Sequence, residues 1–144
     1  MTKSRVSAQQ KAKVKRDAHE CCEYCWSQEA YSPDPFSVEH ILPIAKGGTH
    51  EISNLANACQ GRNNRKYVNT TAIDPLTGEL VPLYHPRQDR WMEHFAWNED
   101  NTLMIGLSPT GRATVEALAL NRKGVVNLRR VLHARGLHPL EGRD

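Results

Sequence analysis

The sequence has no long apolar run. None of its 144 residues belongs to a stretch approaching the roughly 20 apolar residues that a membrane-spanning helix needs. The opening "MTKSRVSAQQ" also lacks the apolar segment of a secretory signal. A cytoplasmic location with no membrane partner is therefore expected. Cysteine is scarce too. The four present, Cys21, Cys22, Cys25 and Cys59, are too few to staple a fold in a reducing compartment, and the spacing of Cys22 and Cys25 suits a metal ion better than a crosslink. Aromatic residues make up only 6% and apolar residues 39%, enough for one modest core but not for two large domains. No internal repeat or low-complexity tract is present, which removes repeat architectures.

What the chain does have is alternating charge. The net +3 divides into +4 over residues 1–20, −4 over 21–60, +3 over 61–70, −4 over 71–120, +5 over 121–136 and −1 in the tail. Folding that gathers "KAKVKR", "GRNNRK" and "NRKGVVNLRR" on one face would attract a polyanion even at small total charge. Taken singly, each block is an ordinary solvated helix face.

Residues 8–20 hold no glycine or proline and predict a first helix ending near Cys21. A short strand is expected from Ser37 to Leu42, then a reversal at Gly47 and Gly48, then a helix over about 53–66. "AIDPLTGELVPL" predicts a hairpin turning between Asp74 and Gly78, and "HFAWNEDNTLMIGLS" a second one across its polar centre. From Pro109 the pattern is helical, with Ser108 or Thr110 as cap and Gly124 as a divider. Trp91, Phe95 and Trp97 are expected in the core, and Arg129 and Arg130 on a solvated face. His19, His50, His133 and His138 read as ordinary residues. The order of elements implies a single-domain α+β fold over residues 1–144.

The chemistry concentrates in "VEHILPIAKGGTH". A carboxylate inside an apolar run asks for a partner, and a magnesium-type cation, which takes oxygen ligands, supplies one for Glu39. The adjacent imidazole of His40 titrates near neutrality and suits proton abstraction from water. Asn54 follows fourteen positions later and Asn63 nine after that, either able to coordinate through oxygen or to orient a ring. Asn64 is the rival of Asn63. Arg62, Arg65 and Lys66 stand where they can hold phosphates, and Arg87 lies in a span that interleaves basic and aromatic residues.

Together, "CEYC" at 22–25, "VEHILPIAKGG" at 38–48, Asn54-Leu55 and "CQGRNNRK" at 59–66 resemble the HNH endonucleases, over about residues 18–67. That resemblance implies a ββα-metal core with flanking helices and added β-hairpins, residues 68–144 forming an extension like that of a bacterial HNH subgroup. It implies one divalent cation, Mg2+ or Mn2+, on Glu39 and Asn63, with His40 as general base and Asn54 positioning it. The implied activity is phosphodiester hydrolysis in DNA, with RNA as the other substrate, by a homodimer or inside a restriction or phage assembly. A catalytically inactive nucleic-acid-binding module that keeps the fold is the alternative. One geometrical demand follows: successive strand residues face opposite ways, so the strand must end or twist for Glu39 and His40 to share a site. Many members carry structural zinc on two C-x-x-C pairs. Here Cys22, Cys25 and Cys59 supply three ligands and Arg62 stands at the fourth place, so closure would fall to Cys21, His19 or His50.

Overall fold

The computed structural model describes residues 5–61 and 69–140. Ser7 opens helix α1, Ala8–Asp17, through a capping box: its hydroxyl accepts from Gln10 N, and the Gln10 side chain accepts from Ser7 N. The helix stops at Asp17, short of Cys21, because His19 and Glu20 both take left-handed backbone angles. Strand β1, Ser37–His40, pairs antiparallel with β2, Leu55–Ala58, in the register Glu39 to Ala56 and His40 to Leu55. α1 packs across this pair.

β2 corrects the expected helix over 53–66. Ile52–Asn54 form a single 3-10 turn, residues 55–58 are strand, and helical backbone begins at Gln60. The reason is tertiary. All four β2 residues are buried, and Asn57 finds partners that a helix would not offer: its N–H donates to Glu23 Oε2 at 2.8 Å and its Nδ2 to the Cys21 carbonyl at 2.9 Å. Pairing and buried hydrogen bonds outweigh local propensity here.

Strands β3, Thr71–Ile73, and β4, Leu80–Pro82, form the first expected hairpin. Asp74 organises its turn, accepting from Leu76 N and the Thr77 hydroxyl. A short helix α2, Trp91–His94, leads into β5, Phe95–Trp97, which pairs with β6, Met104–Gly106, as the second hairpin. Helix α3, Pro109–Ala117, is capped by Ser108 and packs on β6, β3, β4 and α2. Helix α4 spans Lys123–Ala134. The division falls at residues 118–122, where Ala119 is left-handed, and Gly124 lies inside the first turn of α4.

One apolar cluster joins the two parts of the chain, with Tyr24, Trp26 and Ile41 from the first and Leu83, Trp91, Phe95 and Leu118 from the second. Trp26 lies 4.8 Å from Trp91 and 5.6 Å from Trp97, ring centroid to centroid, so the expected aromatic core is present. The result is a small α+β domain of helices and antiparallel strand pairs. Among the described residues no helix is long and apolar enough to cross a membrane.

Candidate functional site

β1 ends at His40, and Glu39 and His40 both pair with β2 inside the ladder, so the strand end falls after the pair rather than between its members. The chain then makes a loop held by Asn54. That side chain is 9% exposed; its Oδ1 accepts from Leu42 N at 2.8 Å, and its Nδ2 donates to the carbonyls of Leu42 and Thr49 at 3.0 and 2.9 Å. Gly47 takes a left-handed angle, and a Cβ on Gly48 would overlap the Leu42 carbonyl oxygen, so the reversal requires both glycines. The amide of Asn54 is thus engaged by the loop and makes no hydrogen bond to the imidazole among the described residues.

The partner of His40 is His50, whose Nδ1 lies 2.9 Å from His40 Nε2, with the rings 4.9 Å apart and steeply inclined. Burial, and then the neighbouring His50, hold the His40 pKa below the ordinary imidazole range. That shift favours the neutral ring, the state a base requires. His50 was read as ordinary from sequence. The available signal was its place ten residues after His40, across a Gly-Gly reversal that folds the chain back.

Glu39 is half-buried within β1, and its Oε1 is shielded from solvent. The expected second metal ligand, Asn63, and the expected phosphate contacts Arg62, Arg65 and Lys66 lie outside the described residues, as does Asn64. Arg87, expected as a phosphate contact, is engaged within the protein. Its guanidinium forms a two-pronged pair with Glu23, at 2.5 and 2.8 Å, and the Glu23 carboxylate also accepts from Asn57 N. That pair ties the extension to β2. Arg87 also lines an open cleft of about 690 Å³, together with Asn54, Thr49, His85 and Gln88.

The three cysteines do meet. The sulfurs of Cys22, Cys25 and Cys59 lie within 4.8 Å of one another, and Cys25 Sγ is 3.6 Å from Cys59 Sγ. Zinc bound to thiolates at about 2.3 Å in a tetrahedron separates its sulfurs by about 3.8 Å, so the donor set fits a thiophilic ion on three sides. Hydrogen bonds from Cys22 and Cys59 hold the Cys25 thiol below its usual range, whereas burial pushes Cys22 up. None of Cys21, His19 or His50 joins the cluster among the described residues. Instead Arg122 Nη2 donates to Cys59 Sγ at 3.1 Å.

Arg129 overturns the solvated-face expectation. It is 2% exposed, donates to the carbonyls of Cys25, Thr102 and Leu120, and lies 4.9 Å over the Trp97 ring. Burial pulls its pKa down to about 10, still cationic at neutral pH. Arg130 is exposed, as expected.

No curated protein and no solved structure matches the chain. The model of one family, described as HNH endonuclease, does match residues 22–68, about a third of the chain. That stretch contains Glu39, His40, His50, Asn54 and the cysteine cluster, and over it the chain is similar to the HNH endonuclease family.

Proposed function

We propose that this chain is a divalent-metal-dependent endonuclease that hydrolyses phosphodiester bonds, DNA being the substrate. The observation that carries the reading is His40, whose Nε2 lies 2.9 Å from His50 Nδ1, one residue after Glu39 in β1 and within the family-matched segment. HNH nucleases as a family use a divalent metal and act on nucleic acids. The order β1, β2 and helical Gln60–Gly61 is what a ββα core requires, and it supports assigning that core to residues 37 onward.

In this reading His40 takes a proton from a water molecule as the water oxygen attacks phosphorus, in line with the departing 3′ oxygen. The phosphorus–O3′ bond breaks, leaving a 5′-phosphate and a 3′-hydroxyl whose proton comes from solvent. Glu39 and Asn63 offer the oxygen donors that a hard cation prefers and would hold it. When bound, such a cation supplies charge stabilisation on the phosphate and the leaving oxygen. Arg62, Arg65 and Lys66 hold the phosphate backbone.

A second reading, a binding module without turnover, is favoured by one observation: among the described residues it is Arg122, and no fourth ligand, that faces the three-cysteine cluster. End-labelled DNA and RNA of defined sequence, incubated with Mg2+ or Mn2+, separate the two. The nuclease reading expects chelator-sensitive cuts whose ends a ligase can rejoin. Retention of DNA on the protein with every strand intact in both metals would establish the binding module instead.

A further inference from the structure

The His40–His50 contact is more than a packing accident of a loop, because His50 is anchored from two directions. Its own carbonyl accepts from Gln10 Nε2 at 2.9 Å. Gln10 is itself fixed, since its Oε1 accepts from Ser7 N and its N–H donates to Ser7 Oγ in the cap of α1. One residue earlier, the Thr49 carbonyl accepts from Asn54 Nδ2. The first turn of α1 and the amide of Asn54 therefore set where the His50 ring stands, and that ring meets the edge of His40 at Nε2.

A neutral imidazole carries one proton on one of two nitrogens, and only the other nitrogen can act as a base. The 2.9 Å separation leaves two arrangements. If His50 Nδ1 carries the proton, it donates to His40 Nε2, the His40 proton sits on Nδ1, and the ring's remaining lone pair is consumed by the pair. If His50 Nδ1 is unprotonated, it accepts from His40 Nε2–H and leaves the lone pair on His40 Nδ1. That nitrogen has no hydrogen-bond partner among the described residues. Only the second arrangement yields a base.

Resting on the nuclease reading above, we propose that His50 is the positioning residue for His40: its Nδ1 accepts the His40 Nε2–H and so fixes the tautomer in which His40 Nδ1 is the basic nitrogen. Asn54 then acts on His40 at one remove. It holds Thr49, which places His50, which sets the proton on His40.

Two measurements on the full chain decide the matter. Long-range proton–nitrogen correlation spectra of wild-type protein at about pH 8, above the ordinary imidazole range, should show the His40 proton on Nε2. A proton on Nδ1 would overturn the proposal, and this readout does not need cleavage. The second measurement compares His50→Leu, which keeps bulk but has no acceptor, with His50→Asn, whose Oδ1 falls where His Nδ1 stands. The leucine variant should lose about 10–100-fold in kcat with KM near wild type, the range typical of losing a partner that orients a working side chain. The asparagine variant should recover most of that loss and restore the His40 Nε2–H signal. His50→Gln, which carries its amide one bond further out, should not. A His50→Leu protein that folds and keeps wild-type kcat would refute the positioning role. If wild-type protein cuts nothing in any metal, the nuclease reading fails, while the nitrogen spectra still decide whether His50 sets the His40 tautomer.

Discussion

At the scale of single residues, the surprises are charged groups drawn inside. Arg129 lies in a stretch of sequence that reads as a basic helix face, since nothing local distinguishes it from Arg130 one residue on. What separates them is the rest of the fold: three carbonyls from distant parts of the chain converge on one guanidinium and leave the other in water. Arg129→Met keeps much of the bulk but strands those acceptors, each costing about 1–3 kcal/mol when left unpaired. The expected loss of stability is about 3 kcal/mol, read from the urea midpoint at unchanged slope. His50 was hidden for the same reason, because its role exists only after the Gly47–Gly48 reversal brings it back to His40. The cysteines were legible in part: their spacing announced a shared site, but not that Arg122 would face it. Arg62→Cys would offer the fourth thiol that a closed tetrahedron wants. The expected outcome is tighter zinc retention, measured as the chelator concentration that strips the metal. Unchanged retention would mean that the cluster does not use that position.

At the scale of elements, the two hairpins were legible because their turns are written in residue types. Asp74-Pro and Thr-Gly mark the first and the polar "NEDN" the second, and the strands formed where those turns demanded. β2 was not legible, because "LANA" lacks the β-branched and aromatic side chains that signal a strand and is held by its neighbours rather than by propensity. The loop between β1 and β2 depends on one side chain. Asn54→Ala removes three hydrogen bonds, at about 0.5–1.5 kcal/mol each, and should lower stability by about 2–4 kcal/mol along with the cleavage rate. Hydrogen exchange should speed at Leu42 N, which loses its acceptor.

The β3–β4 turn carries a pH dependence. The two-pronged pair with Arg112 holds the Asp74 carboxyl well below the usual carboxylate range. A group depressed in the folded state stabilises the protein above its unfolded value, near 3.9, and loses that contribution as pH falls further toward the folded value. The thermal midpoint of wild-type protein should therefore drop from about pH 5 downward, and Asp74→Asn should flatten that drop while lowering the midpoint at neutral pH. An equally steep acid profile in the variant would show that the pair is not responsible.

At the scale of the whole molecule, the family-matched segment and the extension share one core. The Trp26–Trp91–Trp97 cluster, the Glu23–Arg87 pair and the Arg129 bridge to Cys25 all cross between them. A substitution deep in the extension should consequently be felt at the site. Leu118→Ala, at a fully buried position, should cost about 2–5 kcal/mol and leave a single cooperative unfolding transition for probes in both parts. The account's central claim is that a neutral His40 beside Glu39 removes a proton from water at a phosphodiester. The most direct test is supercoiled plasmid incubated with Mg2+ or Mn2+ and either wild-type protein or a His40→Ala variant of matched fold. The account predicts cleavage by wild type that chelator abolishes, and a rate at least about 100-fold lower in the variant, the usual contribution of a general base. Equal cleavage by the two proteins would contradict it.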